Sequence, residues 1–196
     1  MTSNAERSAT TRARLIAVAR TLFARTGFAA TGTEAILEGA GVRRGALYHH
    51  FADKAALFEA VCLALAEEAL PAIDAATARA SQPLDVLVRG SIAWIAFTTR
   101  DDVRRILLVD APTVLGWERW HALDRRLGYQ ALHDALRLAL KEGAIHFDGD
   151  LELLATLVNG ALNSLALRVG STASAVPARS WQRAVRALFA ALAAGP

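Results

Sequence analysis

Apolar side chains recur along this chain at intervals of three and four, in blocks separated by Gly, Pro and short polar runs. That period is helical, and alternating two-residue patterns are nearly absent. Leu15, Ile16, Ala19, Leu22 and Phe23 mark the buried face of a first helix, with Thr10 or Thr11 placed to cap it and Gly27 to end it. Ile36, Leu37 and Ala40 give a second, short helix a stripe, with Thr33 at an N-cap position and Glu34 in its first turn. Gly41 supplies the positive φ of a sharp turn, Val42 fills the corner, and a third helix follows from about Arg44 to His50 with Leu47 and Phe51 inward. A fourth runs from Asp53 to about Leu70, with Leu57, Phe58, Val61 and Leu65 inward and Pro71 as its stop.

Beyond Pro71 the period stays helical. A weak helix over residues 73–80 leads to a Ser81-Gln82-Pro83 turn, and helices follow over residues 84–99 and 101–110. A long one covers residues 118–142 and ends at Gly143. Asp148-Gly149 marks a turn, and Asp150 caps a very apolar helix that reaches Val169. A polar linker at 171–175 and Pro177 precede the last helix, residues 178–193. The expected fold class is all-α.

The third helix carries the first sign of chemistry. Its outer face shows Arg43, Arg44, Ala46, Tyr48, His49 and His50, with no acid among them. Guanidinium, phenol and imidazole groups suit phosphates and base edges. Helix, Gly turn and helix with such a face follow the logic of a helix-turn-helix. The stretch AGVRRGALYHHFADKAALF, with LIAVARTLF and GF upstream, resembles the DNA-binding domain of the tetracycline-repressor (TetR) family of transcriptional regulators. One departure is Leu37, where the family usually has a small residue. The resemblance implies DNA contacts from Thr33, Arg43, Arg44, Gly45, Ala46, Tyr48, His49, His50 and Lys54. Arg44 is the expected base reader, while Tyr48, His50 and Lys54 hold phosphates.

Composition sharpens this picture. The chain has 196 residues, 54% hydrophobic, enough for a sizeable core. Net charge is +3, yet residues 1–54 hold eight Arg or Lys against four acids, so the remainder carries −1. Positive charge gathered at one end points to a polyanion partner. A single cysteine, Cys62, excludes an intrachain disulfide and a CxxC metal site. His146, Asp148 and Asp150 are explained by a turn and a cap, and no metal or cofactor is expected. The polar N-terminus lacks a signal-peptide core, and no apolar run is long enough to span a bilayer, so a cytoplasmic location is expected.

The expected organisation is a disordered arm over 1–9, a three-helix helix-turn-helix domain over 10–54, and a helical ligand-binding and dimerisation domain over 55–196, entered through the bridging fourth helix. The last two helices are apolar over more than one face, which implies a partner. In the family this pair forms a four-helix dimer interface, so the resemblance implies a two-fold homodimer through Leu154, Val158, Ala161, Leu162, Leu165, Trp181, Val185, Leu188 and Phe189. Its two recognition helices would meet a pseudo-palindromic duplex operator about 34–36 Å apart.

A second constellation suggests a small-molecule pocket: Trp94, Phe97, Asp110, Trp117, Trp120, His121, Asn159 and Asn163. Amides on an apolar helix need partners, and an apolar cavity with a few polar groups is how ligand sites are built. His121 with Asp124, at i and i+3, reads as a surface pair. The resulting expectation is a ligand-responsive DNA-binding regulator, most simply a repressor released by a small, largely apolar effector. Two other readings stay open: a DNA-binding factor that answers to a protein partner or to none, and an enzyme built on the Asp110/His121 region.

Overall fold

The computed structural model describes residues 3–171 and 176–194. Among them the regular structure is helical, with no strand. The helices are α1 (Asn4–Ala30), α2 (Thr33–Ala40), α3 (Arg44–His50), α4 (Lys54–Thr77), α5 (Pro83–Thr98), α6 (Asp101–Val103), α7 (Ala111–Asp124), α8 (Gln130–Lys141), α9 (Leu151–Val169) and α10 (Ala178–Ala194). Two wide π-helical stretches, Arg104–Asp110 and Arg125–Tyr129, join α6 to α7 and α7 to α8.

Several local expectations shift for identifiable reasons. The arm expected over 1–9 is helical from Asn4: Ser3 Oγ accepts the Glu6 N–H at 3.1 Å while the Glu6 carboxylate accepts the Ser3 N–H at 2.6 Å, a reciprocal capping box. Residues 1 and 2 lie outside the described residues, as does most of the 171–175 linker. Thr10 and Thr11 donate to carbonyls four residues back rather than capping. Gly32, not Thr33, occupies the N-cap of α2, and Thr33 is its first residue. Pro71 does not stop α4. It is exposed, as is Glu67, so the carbonyl it deprives of a donor can be hydrated. The single helix expected over 118–142 is broken at Gly128, whose φ of 138° few other residues adopt.

The chain forms two compact units. The first comprises residues 1–65 and 101–121. Here α1 packs on α2, α3, α6 and the 104–110 stretch. Leu15, Phe23, Ile36, Leu47, Leu57, Phe58, Ile106 and Leu107 are fully buried. Phe23, Phe28 and Phe58 form a ring cluster with centroids 5.1–5.7 Å apart. The division expected at residue 54 leaves 101–121 in the second unit, but Val103, Ile106 and Leu107 spend their apolar face in the first. Arg20 grips Asp102 at 2.7 Å, and Asp110 Oδ2 accepts the Phe28 N–H at 2.9 Å, pinning this segment to α1.

The second unit comprises residues 66–100 and 122–196. Helix α5 packs against α8, α9 and α10, with Leu87, Ile95, Leu136, Leu154, Val158, Leu162, Trp181, Val185 and Phe189 buried. Asp150 caps α9 through the Leu153 N–H at 3.0 Å, the role its sequence position predicts. The turn before α9 is tied to α10 by the His146 N–H, which donates to the Leu192 carbonyl at 2.8 Å.

Candidate functional site

The first candidate surface is α3. Gly41 ends α2 with φ 61°, and the Val42 N–H donates to the Leu37 carbonyl at 3.1 Å, closing the turn that presents the next helix. Leu37 and Leu47 are buried behind it, so the larger side chain at 37 is absorbed in the core of the first unit. Arg43, Arg44, Gly45, Tyr48 and His49 are exposed, while Ala46 and His50 are half-buried. Arg44 lies 5.6 Å from the Tyr48 ring centroid and 3.6 Å from the Glu34 carboxylate. Both partners of that ion pair are largely exposed, so it holds Arg44 loosely. His49 and His50 meet edge to face at 5.1 Å. Burial, then the neighbouring His49 and Arg12, hold the His50 imidazole below its usual range, so its charged form is disfavoured in the free protein.

Lys54 has a structural task beside any phosphate contact. Its Nζ donates to the carbonyls of Phe28 and Thr31, both at 2.9 Å, and sits 4.2 Å from the Phe28 ring centroid. It therefore satisfies carbonyls left over where α1 ends. Arg14 does the same for α2, donating to the Ala40 carbonyl at 3.4 Å. Substituting Lys54→Met keeps the apolar stem and removes both charge-assisted hydrogen bonds. An expected loss of about 1.5–3 kcal/mol in unfolding free energy follows, read by urea denaturation without DNA. An unchanged midpoint would leave Lys54 with a DNA role alone.

The second candidate is a cavity of about 140 Å³ inside the second unit. Its apolar wall includes Ile73, Val86, Leu87, Trp94, Leu132 and Leu162, and its polar groups come from Asp74, Thr77, Ser91, Asp124, Tyr129 and Asn159. The wide stretch after α7 shapes this wall, bringing Asp124, Gly128 and Tyr129 to it together. Asp124 is only 6% exposed, and its Oδ2 accepts from Asn159 Nδ2 at 2.8 Å. Tyr129 donates to the Glu152 carboxylate at 2.9 Å, and burial foremost raises its pKa, so it stays protonated. Trp94 Nε1 donates to Asn163 Oδ1 at 2.9 Å, which fixes the indole in the wall.

The eight residues expected at this site thus divide. Trp94 and Asn159 line the cavity, Asn163 orients Trp94, and Phe97 is buried beside Trp94 with ring centroids 6.4 Å apart. Asp110, Trp117, Trp120 and His121 belong to the first unit and do not line it. Asp110 is committed to the Phe28 N–H, and Trp117 is 76% exposed with its ring 3.9 Å from that of His121. Asp124, expected on the surface, is buried. A helical period interrupted by Gly128-Tyr129 was the available signal for it.

The expected dimer residues also divide. Leu154, Val158, Leu162, Trp181, Val185 and Phe189 are buried within the chain, and Leu165 and Leu188 are half-buried. Intrachain packing accounts for their apolarity. Of the nine, Ala161 is exposed, and α9 shows solvent a different stripe: Leu153 at 64%, Leu157 at 69%, with Gly160 beside them.

Comparison with known proteins places this architecture. Residues 15–61 match the model for bacterial regulatory proteins of the tetR family, and residues 84–195 match a tetracyclin repressor-like C-terminal domain. The chain belongs to the TetR family. It is a DNA-binding transcriptional regulator, and TetR-family regulators are transcription factors, not enzymes. The HTH-type transcriptional regulator UidR of Escherichia coli K12 is 40% identical over 60 residues, a match that spans 31% of each chain. A TetR-family regulator from Pectobacterium atrosepticum superposes with a TM-score of 0.72 at 25% identity, covering 97% of this chain and 95% of its own. Salmonella enterica GusR gives 0.73 at 26%, covering 94% and 96%. RolR, solved with resorcinol, shares the fold at 0.71 and 24%, covering 94% of this chain and 90% of its own. No helix among the described residues is long and apolar enough to cross a membrane.

Proposed function

We propose that this TetR-family chain is a cytoplasmic repressor that binds a pseudo-palindromic operator as a homodimer and is released by a small, largely apolar effector. The observation that carries the effector part is the cavity of the second unit, walled by apolar side chains with a few buried polar groups, the usual make-up of a ligand site. On DNA, Arg44 reads a guanine, because its guanidinium is exposed and only loosely held by Glu34. Tyr48 and His50 hold phosphates, with Thr33, Arg43, Gly45, Ala46 and His49 along the same contact surface.

Dimerisation uses the exposed α9 stripe of Leu153, Leu157, Gly160 and Ala161. Exposed leucines one turn apart beside small residues suit close helix approach. Release works by population shift. Helix α4 lends Ile73, Asp74 and Thr77 to the cavity wall, so an effector that prefers one placement of α4 changes the operator affinity by its differential affinity for the two states.

The test is binding of the purified protein to the DNA flanking its own gene, titrated against salt and competitor. Saturable binding preferred roughly a thousandfold over competitor, weakening with salt, is the expected result. Replacement of Arg44 by Ala is expected to cost about 1–3 kcal/mol there and relax the preference at one base pair. Operator affinity unchanged at saturating effector would sink the effector part and leave DNA binding standing.

A further inference from the structure

One residue breaks the apolar pattern on the buried face of α5. Leu87, Ser91 and Trp94 follow one another at helical spacing, and all three line the cavity of the second unit. Period alone calls for an apolar side chain at 91, and Ser91 is only 5% exposed. Nearby hydroxyls on α4 and α5 donate one turn back, Thr98 to the Trp94 carbonyl at 2.9 Å and Thr77 to the Ile73 carbonyl at 3.0 Å. The Ser91 hydroxyl forms no hydrogen bond among the described residues. Its oxygen is not sealed in by its neighbours, as His133 Nδ1 is, so it opens on the cavity.

Burying a hydroxyl without a protein partner costs stability, and nearly all buried polar groups avoid it. A cost of this kind is what a binding residue carries before its ligand arrives. Several other polar side chains of the wall have duties within the chain. The Trp94 indole donates to Asn163, the Tyr129 hydroxyl donates to Glu152, and Asn159 gives one N–H to Asp124 and keeps a second. Ser91 can both donate and accept. Volume bounds the rest: a cavity of about 140 Å³ matches the size at which an apolar protein cavity accepts a single benzene ring, about 150 Å³. Resting on the reading of this cavity as the effector site, we infer that Ser91 recognises the effector, a one-ring molecule whose hydroxyl or carbonyl oxygen hydrogen-bonds the Ser91 hydroxyl. The ring then meets Leu87 and Trp94, one turn to either side of Ser91, together with Leu162 of α9.

Two pairs of compounds matched in shape decide the matter: phenol with toluene, and cyclohexanone with methylcyclohexane. Each is titrated calorimetrically into the full chain and into Ser91→Ala. In the wild type the oxygen-bearing member of at least one pair is expected to bind at least about tenfold more tightly than its hydrocarbon twin. The pair that shows the gap tells a hydroxyl effector from a carbonyl one. In Ser91→Ala the gap is expected to close. The ligand-free variant is expected to melt about 2–4 °C above the wild type, because it sheds an unpaired hydroxyl. A variant that melts no higher, a gap that survives the substitution, or hydrocarbons bound as tightly as their twins overturns the inference while the cavity stands as the effector site. If none of the four compounds binds at millimolar concentration, the reading of the cavity as a ligand site falls, and this inference with it.

Discussion

Replacing Leu157 by Asp is expected to leave the chain folded, to halve the particle mass in solution from twice 20.9 kDa to that value, and to weaken operator binding by a hundredfold or more. Leu157 is 69% exposed on α9, with Leu153 one turn away at 64%. A leucine this exposed contributes little to intrachain packing, so its loss should not register in monomer stability. In a two-fold interface the same substitution acts twice, setting two carboxylates in an apolar contact. Without the dimer each recognition helix binds alone, and the gain from linking two half-site contacts, typically 10²–10⁴, disappears. Sedimentation and operator titration on the same sample separate these effects. A variant that still sediments as a dimer would move the interface off this stripe.

The second large effect concerns the first unit. Phe58 is fully buried, with ring centroids 5.2 Å from Phe23 and 5.1 Å from Phe28. Truncation to Ala removes the ring that joins α4 to both ends of the α1 contact and opens a cavity that neighbouring helices can close only in part. The expected loss is about 3–5 kcal/mol, comparable with the whole stability of a small domain. Urea unfolding should show an early transition of the helix-turn-helix unit, and operator binding should fail at growth temperature. Phe58→Leu, which refills much of the volume, should recover most of the loss. A cost below about 1 kcal/mol for the alanine variant would mean that the cluster is not a keystone of this unit. Cys62, four residues on, is a contrasting case: burial first, then the Glu59 and Asp110 charges, push its thiol pKa up, so it stays a protonated, inert packing residue.

Which parts of this protein could be read from its residues follows from the range over which each determinant acts. The α2–Gly41–α3 turn, the Asp150 cap and the all-helical class depend on neighbours within a few positions, and the sequence alone determined them. The basic-aromatic face of α3 was legible for the same reason. Leu47 and Phe51 turn inward by helical period and leave Arg44, Tyr48 and His49 outside. The capping box at Ser3 and Glu6 was equally local and could have been recognised from its spacing. Pro71 marks where local reasoning weakens, because its effect depends on whether the carbonyl it orphans meets solvent.

Tertiary structure decided the rest. An apolar stripe does not say which partner covers it, so Leu154, Val158 and Phe189 went to the intrachain core while Leu153 and Leu157 stayed outside. Asp110 and Asp124 are both single acids in helical surroundings. One was drawn to the Phe28 N–H and the other to Asn159 by which helices happened to pack beside them. Trp94, Trp117 and Trp120 read alike in sequence, yet Trp94 joined the cavity and Trp117 faces solvent, because residues 101–121, which hold Trp117, belong to the first unit. A residue's helix is written in its near neighbours; its burial is written by side chains dozens of positions away.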